Sequence, residues 1–371
     1  MASFATKFIK STFVFINICI IACYLLVCIV PYIDTSKYWY VALLGLLFPL
    51  LFFALLFFII IWAFAKSRWC WVSIIVLLLG IQQITATFGF HLPHDFNAVK
   101  KENTLRVLQW NVTSWDENNK KERGGKSHRQ AMFDLVKNQN ADILCFEEFF
   151  EPAKASGYDQ NIGPLVKLGY PYYYFVPSVS VQNEYEDGVA IFSKYPIIDS
   201  AYFSYGENTS AENLLYADVK VQEKTIRVIA THLQSVRFKA EEYQSLSKIK
   251  HTNREGLKDS RTIVAKLKTG YTYRYSQGEM LHQQIAASPF PVVVCGDFND
   301  VPNSSTYFTV RQNLQDAFLK TGFFIGRTFR FISPTLRIDY IFANKKFRVS
   351  QTEVIHVPYS DHYPVEADLE Y

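Results

Sequence analysis

The sequence predicts an α/β (α+β) domain of two mixed β-sheets packed face to face with helices outside, preceded by three transmembrane helices. Three observations carry that expectation. Residues 1–92 hold three long apolar runs; residues 104–371 are dominated by short strand-like runs with helices between them; and many of those runs end on carboxylates, amides or imidazoles.

The apolar runs cover about 8–30, 39–65 and 69–90, and their one charge, Lys10, lies near an end. A helix needs ~20 apolar residues to cross the hydrocarbon core. Tyr32, Tyr38, Trp39, Tyr40, Trp69 and Trp71 stand at the edges of the runs, where amphipathic rings lie in a bilayer. Cleavage after the "IIAC" ending at Cys23 is the competing reading for the first run, and it would leave two runs in place. Lys7, Lys10, Lys66 and Arg68 put the N-terminus and the second short loop on the cytoplasmic side. Residues 93–103 then form a polar linker, and His91 just before it, with His94 and Asp95 inside it, reads as linker polarity. The domain of residues 104–371 is expected outside an inner cell membrane.

Of 38 basic and 34 acidic residues, five and one lie within 1–92, leaving 33 of each sign in 93–371. That neutral balance does not favour duplex nucleic acid as partner, which calls for a basic footprint. One stretch, Arg237 to Arg274, carries ten basic residues against four acidic ones and would suit anionic headgroups or a phosphorylated substrate. The six cysteines show no C-x-x-C spacing and no disulfide framework; Cys145 and Cys295 fall inside apolar strands.

Strands are expected at "TLRVLQW" (104–110), "ADILCFEE" (141–148), "YPYYYFV" (170–176), "DGVAIFS" (187–193), "LLYADVKV" (214–221), "TIRVIATHL" (225–233), "PVVVCGDF", "LRIDYIFA" and "FRVSQTEVIHV". Helical spacing marks 128–139 and about 257–287. The strand ends carry Asn111, Glu147 and Glu148, His232, Asp297 and Asn299, Asp339, and Asp361 with His362. A buried strand that ends on an acid is costly unless the acid is paired or coordinated, so six such ends point to one shared pocket. Oxygen donors suit a hard ion, Mg²⁺ or Mn²⁺. Histidines beside carboxylates suit phosphate binding and proton transfer.

The ordered blocks "LQWN", "FEE", "THLQ", "GDFND", "RIDYIF" and "SDHYP" resemble the endonuclease/exonuclease/phosphatase superfamily, over roughly Thr104 to Tyr371. The resemblance implies a four-layer α/β sandwich and a metal-dependent phosphoric-ester hydrolase. It implies Asn111, Glu148 and Asp361 as metal ligands and Asp297 as the residue that orients or deprotonates the attacking water. It further implies Asn299 as the amide on the scissile phosphate, His362 oriented by Asp339 on the transition state, and His232 at the leaving group. The family commonly has glutamine where Glu147 stands, and strand alternation then lets only one of Glu147 and Glu148 face the pocket; Glu148 is expected to do so. The tryptophan-rich block of inositol-polyphosphate phosphatases is missing. A phosphodiester or phosphomonoester substrate follows, a lipid headgroup or an extracytoplasmic nucleic acid. An endonuclease on DNA or RNA, or a non-catalytic binding module, are the alternatives.

Overall fold

The computed structural model describes residues 4–120, 124–154, 156–206, 212–236 and 254–371. Much of the basic stretch that starts at Arg237 lies outside the described residues. Two six-stranded sheets form the centre. The first runs β13 (Arg348–Val354), β14 (Val365–Glu370), β2 (Thr104–Asn111), β3 (Ile143–Pro152), β5 (Tyr185–Ser193), β4 (Tyr172–Val181). The second runs β10 (Leu314–Asp316), β12 (Asp339–Asn344), β9 (Val292–Asp297), β8 (Lys224–His232), β7 (Leu214–Val221), β6 (Ile197–Phe203). Each sheet has one parallel pair at its middle, β2 with β3 and β8 with β9; its other pairs are antiparallel.

Both faces of the central strands are covered, which is why they read as continuous apolar runs. Leu105 and Val107 of β2 meet Val293 and Cys295 of β9 between the sheets. On the outer face of the first sheet, Leu108 and Trp110 pack on Met132, Phe133 and Val136 of the helix Arg129–Gln139. On the outer face of the second, Val292 and Val294 pack on Leu281 of the helix Arg254–Ala286 and Tyr307 of the helix Ser305–Arg311. Each fully buried Val, Leu, Ile or Phe contributes about 1.5–3 kcal/mol, so these layers can hold polar groups in place at one end of the sheets. Strands β6, β10 and β14 were not expected from the sequence. In β14 the alternation was there: Val365, Ala367 and Leu369 face the inter-sheet core, while Asp368 accepts from Arg106 across the outer face.

The three expected spans take a different form. Lys7–Tyr32 is one helix long and apolar enough to cross a membrane. The other two runs are bent pairs, Trp39–Gly45 with Phe48–Phe64 at 51° and Trp69–Leu79 with Ile81–Thr87 at 63°. Pro49 stands in the first turn of one second half, where a missing donor costs nothing but an unbroken helix would clash. Gly80 marks the other break, where a Cβ would run into the Tyr24 hydroxyl. The unbent part of the last run, Trp69–Leu79, has 11 residues, roughly 16 Å of rise, about half the hydrocarbon core.

The second half of that last run is committed to the sheet domain. Ala86 packs in the outer core of the second sheet, and Arg337 Nη2 donates to its carbonyl at 2.7 Å. Other contacts follow the same pattern: Asn303 Nδ2 donates to Val27 O at 3.0 Å, Thr35 and Ser305 hydroxyls lie 2.9 Å apart, and β1 (Gly89–Phe90) pairs with β11 (Phe323–Phe324). The expected linker is also docked. Arg106 donates to the carbonyls of Asn97 and Ala98, with the Phe96 ring under its guanidinium.

Arg337 is fully buried and also donates to Asp316 Oδ2 at 2.6 Å, which in turn accepts from the Tyr307 hydroxyl at 2.8 Å. Removing one member of such a pair leaves an uncompensated buried charge. Arg337→Ala is therefore expected to destabilise the full chain by about 3–5 kcal/mol, read from its denaturant midpoint in detergent. A loss under about 1 kcal/mol would show that Ala86 and Asp316 do not depend on it.

Candidate active site at the rim of the two sheets

The parallel pairs bring the C-termini of β2, β8 and β9 and the middle of β3 to one rim. On the second sheet, register places His232 and Asp339 on either side of Asp297. On the first, Asn111 stands beside Glu147. The two rims are joined by side chains: Asn111 Nδ2 lies 3.2 Å from Asp297 Oδ2 and 3.2 Å from Glu148 Oε1, donating to both. Its Oδ1 accepts from the Thr113 amide at 3.0 Å.

Asp297 is the meeting point. Its Oδ2 is 3.5 Å from His232 Nε2 and 3.6 Å from His362 Nε2, and its Oδ1 accepts from the Asn299 amide at 2.8 Å. Asn299 has a left-handed backbone (φ 51°), and its side-chain Nδ2 donates to Leu233 O at 3.1 Å, which fixes the amide at the pocket. His362 Nδ1 contacts both oxygens of Asp339, at 2.9 and 3.1 Å. Phe329 packs on its ring edge-on, and Trp110 Nε1 donates to its carbonyl at 3.1 Å. Asp361 is held by Thr113 and Ser360 hydroxyls, and Ser360 Oγ also donates to Asn111 O at 2.8 Å. All eight residues singled out in the sequence thus fall in one cluster.

One expectation is corrected. Glu147 and Glu148 both reach the rim. A β-bulge shifts the β3/β5 register between Phe146 and Phe149, and Glu148 adopts φ 49°. Glu147 turns between the sheets, where Gln109 Nε2 donates to it at 2.7 Å and to Asp339 at 3.1 Å. Two further acids were not singled out in the sequence: Glu212 had no strand signal, and Asp187 opens the expected strand 187–193. Glu212 Oε2 lies 3.2 Å from His232 Nδ1 and accepts the Glu148 amide at 3.1 Å. Asp187 accepts from Ser114 at 2.8 Å and faces Glu212 and Glu148.

The electrostatics follow from this crowding. Burial, then Glu212 and Glu148, push the Asp187 carboxyl up to about 8. Burial raises Glu148, with Asp361 and Glu212 adding to it against the pull of His232. Burial and Asp339 hold Asp297 above the ordinary carboxylate range despite the two imidazoles. Burial disfavours the charged imidazoles, but the carboxylates outweigh it: Glu212, Asp297 and Glu148 raise His232 to about 10, and Asp339 and Asp297 hold His362 well above a free imidazole.

A hard cation fits this set. Glu148, Asp187, Glu212 and Asp361 gather at one side of the rim and offer only oxygen donors, and burial with the neighbouring acids raises the proton affinity of Glu148 and Asp187. The triad whose donor atoms all lie within 4.8 Å of one another is a different one, Asp297, Asp339 and His362. Its imidazole is already bonded to Asp339, and three donors surround Asp297 Oδ2, which leaves Asn111, Glu148 and Asp361 as the residues that could hold a cation.

Two outcomes check that placement. Raised carboxylates stabilise a cation-free fold below their unfolded pKa near 4 and lose that contribution as pH rises through the folded value, up to about 8 for Asp187. A cation must displace those protons, so the rise in Tm on adding Mg²⁺ is expected to be larger at pH 8 than at pH 6; equal increments would refute it. Glu148→Gln is expected to weaken Mg²⁺ binding about 10–100-fold by calorimetry, and Glu147→Gln much less. The reverse order would move the ligand to Glu147.

Comparison with known proteins agrees with this geometry. Residues 10–87 match a domain of unknown function. Two sphingomyelinase C proteins of Bacillus cereus are 30% identical over 156 residues, 36% of this chain and 45% of theirs, and 28% identical over 159 residues, 37% and 46%. The chain thus spans under half the length of these curated relatives. The catalytic domain of human Nocturnin, solved with a bound sulfate anion, superimposes with a TM-score of 0.50 at 20% identity, covering 73% of this chain and 95% of that one, a likeness of fold. The model of the endonuclease/exonuclease/phosphatase family matches residues 108–362, which include all eight rim residues, and the chain belongs to that family.

Proposed function

We propose that this chain is a membrane-anchored phosphoric-ester hydrolase, dependent on Mg²⁺ or Mn²⁺, that cleaves a phosphodiester of a lipid headgroup by in-line attack of water. The observation that carries it is the single carboxylate oxygen, Asp297 Oδ2, bracketed by His232 at 3.5 Å and His362 at 3.6 Å and by Asn111 at 3.2 Å. Asp297 orients the water and accepts its proton, which its raised pKa favours. His362, held charged by Asp339, stabilises a non-bridging oxygen as charge builds on the phosphorus, and the Asn299 amide positions the same group. As the bond to the leaving oxygen breaks, His232, charged beside Glu212, gives that oxygen a proton. Asn111, Glu148 and Asp361 would hold the cation, which supplies positive charge to the phosphoryl oxygens when bound.

Lipid is favoured over nucleic acid by the neutral charge of residues 93–371 and by the stretch shared with the sphingomyelinases. The anchor reading takes the bent pairs as two more spans, 39–65 and 69–90, with 93–103 as a docked strap and 104–371 as the hydrolase domain. The contacts of Val27, Thr35, Gly45 and Ala86 with the sheet domain come from the span ends opposite Lys7, Lys10, Lys66 and Arg68. With the positive-inside rule, these contacts support an extracytoplasmic domain.

Hydrolysis of bis-p-nitrophenyl phosphate with Mg²⁺ tests the chemistry. Asp297→Ala and His362→Ala are each expected to lower kcat by about 10²–10⁴-fold. Equal rates in all three proteins would instead indicate a binding module. Headgroup release from vesicles against plasmid nicking then separates lipid from nucleic acid.

A further inference from the structure

A cleft of about 470 Å³ lies at the junction of the anchor and the sheet domain, away from the catalytic rim. Five elements meet there: the helices Ile81–Thr87, Ser305–Arg311 and Ala317–Thr321, the strand β10, and the turn after β12. Arg311, Lys320 and Lys345 line it, each from a different element. Among the described residues none of the three forms an ion pair. The one acid at the cleft, Asp316, is buried and spent on Arg337 and the Tyr307 hydroxyl, so it does not offset them. Three cations with no counter-charge, around one concavity, ask for an anion.

The position of the cleft says which anion. Gln82 and Phe308 line it, and both touch Tyr32: the Tyr32 hydroxyl bonds to Gln82, and its ring meets Phe308 edge-on at 6.0 Å. Tyr32 ends the apolar helix Lys7–Tyr32. A tyrosine at a span end marks the headgroup level of a bilayer. Phe308 and Leu319 give the cleft an apolar wall beside its basic rim. A free phosphate would leave that wall unused, whereas the glycerol and first methylenes of a lipid would cover it.

We propose that this cleft binds the phosphate of an anionic phospholipid, with Arg311, Lys320 and Lys345 as its ligands, as a site separate from catalysis. The proposal rests on the membrane-anchored reading above. Headgroup electrostatics are worth about a fivefold change in affinity for each basic residue near the surface.

The test uses the full-length chain in nanodiscs of phosphatidylcholine with a minor share of phosphatidylglycerol. Native mass spectrometry reads which lipid stays bound. The wild type is expected to retain phosphatidylglycerol over phosphatidylcholine. The R311Q/K320Q/K345Q variant is expected to lose that preference by at least about tenfold, with bis-p-nitrophenyl phosphate hydrolysis and Tm unchanged. Equal retention in the two proteins overturns the site. If the variant melts early, the three single substitutions replace it, each expected to lose about fivefold. Displacement of the lipid by millimolar glycerol phosphate would also overturn the proposal, because the occupant would then be a soluble phosphate ester. Carbonate extraction of membranes reads the anchor by itself. A chain that is released yet keeps variant-sensitive retention keeps the cleft and loses the anchor; one that stays in the membrane without lipid preference loses the cleft.

Discussion

The hydrogen bond from Asn111 to Asp297 is the constraint around which the site is arranged. Together with the Gln109 bond to Asp339, it joins the first sheet to the second at the rim, 3.2 Å across a gap that apolar packing fills farther in. Asn111 ends β2 and Asp297 ends β9, and each of those strands belongs to the parallel pair of its sheet. Parallel neighbours end at the same edge, so the pairing delivers their terminal side chains together. An antiparallel neighbour adds a residue from its start instead, as β12 does with Asp339. The rim is therefore a consequence of topology. The apolar layers fix the sheets face to face, and the amide of Asn111 then has two carboxylates within reach on opposite sheets.

That arrangement gathers more negative charge than the imidazoles can balance. Burial first, and the neighbouring acids second, raise Asp187, Glu148 and Asp297, and the environments separate the residues by task. Asp297 and Asp339 face imidazoles and stay within hydrogen-bonded or near-contact pairs. Glu148 and Asp187 face other acids, where only a proton or a cation relieves the repulsion. The same burial that makes these groups expensive makes them useful, since charge interactions in a dry pocket are stronger than in water.

The rim was legible in the sequence because its residues sit at strand ends, and strands buried on both faces stand out as apolar runs. "TLRVLQWN" and "VVVCGD" each show the run and its polar end. What was not legible had no such frame. Glu212 belongs to a polar stretch before β7 that carries no periodicity, and only the fold brings its carboxylate to His232. The alternation rule failed at Glu147 and Glu148 because a bulge adds a residue, and two adjacent acids then share one edge. The short strand β10 fell below the length at which a period can be read. The apolar runs of residues 1–92 were plain, but their breaks depend on Pro49 and Gly80 and on contacts with a domain far away in the chain.

Those contacts tie the N-terminal helices to the sheet domain. The chain leaves Asp297 through Asn299 and Asp300 and reaches Asn303 and Ser305, which bond to Val27 and Thr35 of the apolar region. Arg337, two residues before Asp339, bonds to Ala86. The segments that follow Asp297 and precede Asp339 are thus both tied to the N-terminal helices within a few residues of the rim. A flexible tether would have left those segments to pack on the sheet domain alone. Here the carbonyl of Ala86 and the carboxylate of Asp316 share one guanidinium, so the position of the last apolar helix and the position of the β12 start are set by the same group. The N-terminal region is in this sense a further wall of the fold, and the rim is tied both to the helix that ends at Tyr32 and to the short helix that carries Ala86.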